Sequence, residues 1–326
     1  MYVVTGGAGF IGSNLVRGLN RRGITDILVV DDLENSAKHK GLNALSFVDF
    51  VDYREFRERL DAFAPELWKA VLHQGACSDT METDGRYMLS VNYEYSKELL
   101  AACLGRCPFL YASSASVYGD GEDGFREEPE CEWPLNVYAF SKFLFDRHVR
   151  RLLPSVKTQV VGLRYFNVYG PQENHKGRMA SVVYKFHHQI AEEGVLKVFE
   201  GSEDFLRDFV YVDDAVDVNL HFLENPDRSG VFNCGSGRAE SFLALAEATA
   251  SHYEGCEIVR IPFPAELKGK YQAFTQADLT RLHEAGYGRE FTSLADGVAS
   301  YVGLLKGADG YHRRPAVPES SSSATQ

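Results

Sequence analysis

The sequence predicts an α/β fold: a doubly wound parallel sheet followed by a smaller α/β substrate-binding lobe. Three observations predict it. A glycine-rich turn sits between a short apolar strand and an amphipathic helix. Strand-like and helix-like segments alternate through the first half of the chain, as they do where helices cover both faces of a parallel sheet. The length of 326 residues with 44% hydrophobic content exceeds one small domain and can fill a substantial core.

The first element is Tyr2-Val3-Val4-Thr5, a buried strand running directly into Gly6-Gly7-Ala8-Gly9-Phe10-Ile11-Gly12. A helix follows with Leu15, Val16 and Leu19 on its apolar face. Glycines at 6, 9 and 12 allow a tight turn, close approach to a pyrophosphate and close packing of helix on strand, while the helix N-terminus faces the anion. An ordinary glycine-rich turn would need neither the strand before nor the helix after, so the reading is a Rossmann-like dinucleotide site. A second strand, Ile27-Leu28-Val29-Val30, delivers Asp31 and Asp32 to a ribose. The Asp31 carboxylate suits a free 2′-hydroxyl and favours NAD, whereas Lys38 in the next polar loop would neutralise a 2′-phosphate and favours NADP. An exposed loop lysine is ordinarily just solvated, and the residues alone leave the two cofactors balanced.

Further strands at Ala70–His73 and Phe109–Ala112 end in the small polar runs Gly75-Ala76-Cys77-Ser78 and Ser113-Ser114. Ligands gather beyond the carboxyl ends of strands in open α/β sheets, so these tips should line the cleft. Asn92, in a helix-like run with Val91, Tyr93 and Tyr95, reads first as a capping or packing group. Val160–Leu163 is another buried strand and leads into Arg164-Tyr165-Phe166-Asn167-Val168-Tyr169-Gly170-Pro171.

After Pro171 the pattern changes to a charged, turn-rich stretch from Gln172 to Arg178 and then a helical one from Met179 to Ile190. The expected division is a dinucleotide-binding domain over residues 1–166 with about 208–236 and 290–306, and a substrate domain over 167–207 with about 237–289. Gly307 to Gln326, with two prolines and a four-serine run, is expected to be a mobile tail, since it cannot bury enough surface to offset the entropy of ordering.

The chemistry is carried by Ser114, Tyr138 and Lys142. Positions four apart share a helix face, so Tyr138 and Lys142 can point into one cleft. A phenol with an ordinary pKa near ~10 is a poor base at neutral pH, and a neighbouring ammonium would favour its phenolate. A Tyr-x-x-x-Lys pair arises by chance in a chain with 17 Tyr and 34 Lys+Arg, so its weight comes from the dinucleotide turn before it. Likewise, Ser114 alone would be a strand-end serine satisfying a backbone group. Together the three suggest hydride chemistry on an alcohol.

The net charge of −12 and a pI near 5.3 oppose nucleic-acid binding but permit a local basic pocket for an anion. Cysteines at 77, 103, 107, 131, 234 and 256 lack the paired spacing of a zinc site or disulfide framework, so no metal is expected. With no secretory leader and no apolar run of ~18–20 residues, a soluble cytoplasmic chain is expected.

Gly6-x-x-Gly9-x-x-Gly12, Ser114, Tyr138-x-x-x-Lys142 and Arg207-Asp208-Phe209-Val210-Tyr211-Val212-Asp213 together resemble the extended short-chain dehydrogenase/reductase group, over about residues 1–306. Longer runs are more particular: His73 to Ser78, Tyr165 to Pro171 with His175-Lys176-Gly177, Phe199-Glu200-Gly201-Ser202, and Lys268 to Asp278. These resemble the epimerases that invert carbon 6 of an ADP-linked heptose bound for the lipopolysaccharide core.

That resemblance implies transient oxidation of the carbinol to a ketone and reduction from the opposite face, with NADP as cofactor, NAD remaining open, and homo-oligomers, pentamers in the family. It implies Tyr138 as one catalytic acid–base and Lys176 as a second, Ser114 bonding the reacting oxygen, and Lys142 also on the nicotinamide ribose. Lys176 should then have a lowered pKa, with Arg178 a candidate cationic neighbour. Toward the cofactor the resemblance places Gly6, Gly9, Phe10, Ile11, Gly12, Asp31, Asp32, Lys38, Arg54, Gln74, Gly75, Ala76, Cys77, Ser78, Asn92, Lys142, Val168 and Lys176. Toward substrate it places Ser114, Asn167, Arg178, Lys185, Phe199, Glu200, Gly201, Ser202, Arg207 and Tyr271, the cations suiting a diphosphate.

Three places depart from the family pattern: Asp32 stands for asparagine, Gln74 for glutamate and Lys185 for histidine. Asp32 adds a negative charge beside the ribose. Related dehydratases carry an acidic pair directly after the serine position, whereas here Ala115 and Ser116 follow, so elimination is not expected. The alternatives are another nucleotide-sugar epimerase such as a UDP-hexose 4-epimerase, which has no need of Lys176 as a second base, and a non-catalytic nucleotide sensor, which would not need to keep both Tyr138 and Lys142.

Overall fold

The computed structural model describes residues 1–264 and 273–314. Its centre is a sheet of seven parallel strands: β1 (Tyr2–Thr5), β2 (Ile27–Asp31), β3 (Asp49–Asp52), β4 (Ala70–His73), β5 (Phe109–Ser114), β6 (Val160–Tyr165) and, from later in the chain, Gly230–Cys234. The spatial order runs from Gly230–Cys234 through β6, β5, β4, β1 and β2 to β3. Every residue of β2, β4, β6 and Gly230–Cys234 is buried, as expected of strands covered on both faces. The direction of winding reverses between β1 and β4, and a crevice opens there beyond the strand ends.

The first helix, Phe10–Arg21, packs so closely on the helix Val212–Glu224 that a Cβ on Gly18 would stand 2.5 Å from Val216 Cγ1. His73, at the end of β4, is buried with Nδ1 2.6 Å from Thr5 Oγ1 and Nε2 2.8 Å from Ser96 Oγ. Burial, helped by the charge of Lys142, pushes its pKa down to about 3. The unfolded chain takes up this proton near pH ~6.5 and the native state does not, so stability is complete above that pH and falls as pH drops toward 3. Urea unfolding should show a loss of about 2 kcal/mol from this group between pH 7.5 and 5, a loss absent in His73→Gln.

The second lobe contains β7 (Asn167–Tyr169), β8 (Val195–Phe199), β9 (Leu206–Tyr211), β11 (Ala239–Ser241) and β12 (Glu257–Ile261), with β10 being the Gly230–Cys234 strand already placed in the main sheet. Here β9 lies between β7 and β11, and β8 pairs with β12. Helices Val182–Glu193, Phe242–Ala250 and Leu294–Ala308 share this lobe's apolar core through Val183, Phe186, Leu245, Val298 and Tyr301.

This core corrects the expected boundaries at the end of the chain. Residues 294–306 belong with the second lobe, while Leu282, Ala285, Tyr287 and Phe291 pack with Phe222 and Phe232 against the main sheet. The mobile tail is also corrected at its start: the last helix runs to Ala308, and Tyr311 is buried. A single buried aromatic and several backbone bonds hold this turn, features that composition does not show. Residues 315–326, including the serine run, lie outside the described residues. Among the described residues no helix is long and apolar enough to cross a membrane.

Candidate active site

The glycine turn is built as its spacing requires. Gly6 has φ +64°, and a Cβ there would stand 2.7 Å from the backbone of Gln74 and Gly75. On Gly12 a Cβ would meet Gly6 O at 2.0 Å, so the first helix can lie on the turn only without one. The backbone N–H of Ala8 donates to Asp31 Oδ2 at 2.8 Å, tying the turn to the tip of β2.

Beyond these tips lies one cleft of about 920 Å³. Its wall includes Gly6, Gly9, Phe10, Ile11, Gly12, Asp31, Asp32, Lys38, Arg54, Gln74 to Ser78, Ser114, Tyr138, Lys142, Asn167, Val168, Lys176, Arg178 and Arg207. Both lobes therefore contribute. Lys38 Nζ reaches Asp31 Oδ1 at 2.9 Å and Asp32 Oδ1 at 3.1 Å, and although burial opposes its charge, the two carboxylates raise its pKa. Arg54 pairs with Glu34 and Asp52 and lies over the Tyr53 ring.

Tyr138 and Lys142 stand on the helix Val137–Leu152, whose first turn is capped by Asn136 accepting from Ala139 N at 2.8 Å. Ser114 Oγ accepts from Ser116 N at 3.2 Å and from Ser116 Oγ at 2.9 Å, and both Ser114 and Tyr138 line the cleft. Lys142 does not draw the phenol down as expected: burial raises Tyr138, and the neighbouring Ser114 hydroxyl only opposes that rise. The physical reason is where the ammonium goes. Lys142 Nζ donates to Ala112 O at 2.9 Å, and burial lowers its pKa to about 8 against the attraction of Asp146.

In the same cleft, Lys176 Nζ lies 5.0 Å from the centre of the Phe10 ring. Its pKa is lowered as expected, by burial first, with Glu173 opposing and Lys185 assisting. The cationic neighbour is thus Lys185 rather than Arg178, because Arg178, at the cleft wall, pairs with Asp79 there. Lys185 itself donates to Arg178 O at 2.8 Å and does not line the cleft.

Other expected site residues also stand elsewhere. Asn92 is buried behind the wall, where its side chain accepts from Cys77 N at 2.8 Å and donates to Cys77 O at 2.9 Å and Ser141 Oγ at 3.1 Å. It holds the Cys77 loop to the helix that bears Tyr138 and Lys142. Phe199, Glu200, Gly201 and Ser202, at and beyond the end of β8, are not part of the cleft wall, Phe199 packing on Phe263. Tyr271 and the run Lys268 to Gln272 lie outside the described residues.

Sequence reasoning missed the support beneath the site. Fully buried Asp146 accepts from Tyr111 OH, Ser113 Oγ and Arg164 Nε, each at 2.9 Å, while Arg164 also pairs with Glu132. The spacing Tyr138, Lys142, Asp146 continues one helix face and was the available signal. Glu173, which influences Lys176, had no comparable periodicity.

A model of the NAD dependent epimerase/dehydratase family matches residues 2–235. The ADP-L-glycero-D-manno-heptose-6-epimerase of Brachyspira hyodysenteriae (strain ATCC 49526 / WA1) is 55% identical over 316 residues, covering 95% of this chain and 99% of that one. Among solved structures, the Helicobacter pylori ADP-L-glycero-D-manno-heptose-6-epimerase is similar with a TM-score of 0.80 at 28% identity, over 94% of this chain and 96% of that one. The Thermus thermophilus UDP-glucose 4-epimerase, solved in complex with NAD, is similar with a TM-score of 0.76 at 27% identity, over 94% and 99%.

Proposed function

Because the chain belongs to the NAD dependent epimerase/dehydratase family, we propose that it inverts carbon 6 of ADP-D-glycero-D-manno-heptose, giving ADP-L-glycero-D-manno-heptose for lipopolysaccharide core synthesis. The 55% identity to a heptose 6-epimerase supports the substrate. The observation that carries the mechanism is one cleft walled by Ser114 and Tyr138 and, from the second lobe, by Lys176.

The cleft suits a nicotinamide dinucleotide: Gly6, Gly9 and Gly12 leave room that a Cβ would fill, the first helix begins there, and Asp31 stands at the ribose end. When bound, that cofactor supplies hydride acceptance and return. Tyr138 takes or gives the hydroxyl proton on one side of the sugar carbon, with Ser114 orienting the oxygen. Lys176 exchanges the proton on the other side. The lowered pKa of Lys176 increases its neutral fraction near neutral pH, which suits an acid–base role.

For the nucleotide we favour NADP, with Lys38 and Arg54 as the cations nearest a 2′-phosphate. A second reading, NAD, has its own support, since Lys38 is shared by Asp31 and Asp32, one positive charge against two negative. Cytoplasmic location and homo-oligomeric assembly, as a pentamer, belong to the same proposal.

The test is to incubate the purified protein with ADP-D-glycero-D-manno-heptose, follow carbon 6 by NMR and identify the nucleotide that copurifies. Inversion with no net change in cofactor redox state is the expected result. Failure to invert while cofactor is bound overturns the substrate assignment, and inversion of UDP-glucose at carbon 4 instead would establish the alternative epimerase.

A further inference from the structure

Lys176 sits on a loop held from behind by the end of the chain. Glu173, three residues before it, is fully buried, and its carboxylate accepts from Ser181 N at 2.6 Å and Ser181 Oγ at 2.5 Å. The buried phenol of Tyr301 on the last helix faces the same carboxylate, its hydroxyl making no hydrogen bond of its own among the described residues. On either side of Glu173, Gln172 N donates to Gly310 O at 2.8 Å and Asn174 Nδ2 donates to Asp309 O at 2.9 Å.

The loop is clasped from the other side too. Gln172 Nε2 donates to Ser13 Oγ at 3.1 Å, and Asn14 Nδ2 donates to Pro171 O at 3.0 Å. Gln172 also holds φ +76°, a conformation that a non-glycine side chain adopts at a cost and keeps only where its surroundings over-determine it. Strain fixed by contacts from two distant parts of the chain is a way to set a side chain within fractions of an ångström.

We propose that Glu173, together with Tyr301 and the C-terminal turn Asp309–Gly310, forms a positioning clamp that sets where the Lys176 ammonium stands in the cleft. These residues act through the loop and touch neither substrate nor reacting atoms. The inference deepens the proposed two-sided proton exchange and rests on it for its catalytic consequence. The charge of Glu173 has a second effect, because it favours the protonated form of Lys176. The charged and titratable groups facing this carboxylate are Lys176, Lys185, Tyr184 and Tyr301, with His175 also facing Lys176.

Two variants of the full chain test the clamp. Glu173→Gln keeps size and an acceptor but removes the charge. Tyr301→Phe keeps the charge and removes the polar hydroxyl that faces the carboxylate, and serves if the first fails to fold. Lysines carrying ¹³C-methyl groups, with Lys176 assigned by its disappearance in Lys176→Arg, report the titration directly by NMR. Glu173→Gln should move the Lys176 midpoint to lower pH, and each variant should lower kcat for the nucleotide-sugar tenfold or more with KM within about threefold. Glu173→Asp should recover part of the titration shift. An unmoved Lys176 resonance would overturn the clamp, and so would a kcat loss no larger than the fraction of protein unfolded where Lys176→Met is itself impaired. If Lys176 moves as stated but Lys176→Met keeps full activity, the clamp stands and the acid–base role of Lys176 falls.

Discussion

Tyr138→Phe is expected to lower kcat for heptose inversion by roughly 10²–10⁴-fold, the range that a positioned acid–base group contributes. The substitution deletes the only atom of the side chain that can carry the proton and leaves the ring to pack. Ser114 keeps its bonds from Ser116, and Lys142 keeps its bond to Ala112 O. Cofactor affinity, measured by quenching of protein fluorescence, should consequently change little. Because burial raises the phenol, Tyr138 is protonated at neutral pH and the proton-accepting step gains from alkalinity. The wild-type rate should rise on the alkaline side, and the variant should lose that rise. Near-normal turnover in the variant would show that another group handles this proton.

Lys176→Met is expected to produce the second large effect, a fall in kcat of about 10²-fold or more with KM for the nucleotide-sugar within a few-fold. Methionine matches the stem of lysine and can keep the contact with the Phe10 ring, so loss of packing is kept small. A two-sided mechanism cannot complete inversion with one side lacking its proton carrier. A 4-epimerase using only Ser114, Tyr138 and Lys142 would not notice the change. Full heptose epimerase activity in Lys176→Met would therefore remove the second acid–base from the mechanism, whatever became of the substrate assignment.

Much of the frame was legible in the sequence because it depends on local rules. The turn from Gly6 to Gly12 follows from contacts a few residues apart, with Gly12 excluded from carrying a Cβ by Gly6 O itself. The strands at Tyr2, Ile27, Ala70, Phe109 and Val160 were found from short apolar runs, which is the signature of strands buried on both faces. The Tyr138–Lys142 pair needed only helical periodicity.

Less was legible where partners are remote. Arg178 was expected beside Lys176 from its nearness in sequence, yet Asp79, ninety-nine residues away, takes its guanidinium. Asn92 was placed toward the cofactor, but Cys77 and Ser141 engage its amide behind the wall. The end of the chain looked like a tail because composition cannot register the backbone bonds that Asp309 and Gly310 offer to Asn174 and Gln172.

The sequence by itself determined the dinucleotide turn, the parallel sheet and the helix face bearing Tyr138 and Lys142, since steric limits and periodicity act between near neighbours. Only the tertiary structure decided which charges meet: Lys38 with both aspartates, Arg178 with Asp79, and Glu173 behind Lys176. Electrostatic coupling and burial depend on distance in space, and chain separation says little about that distance.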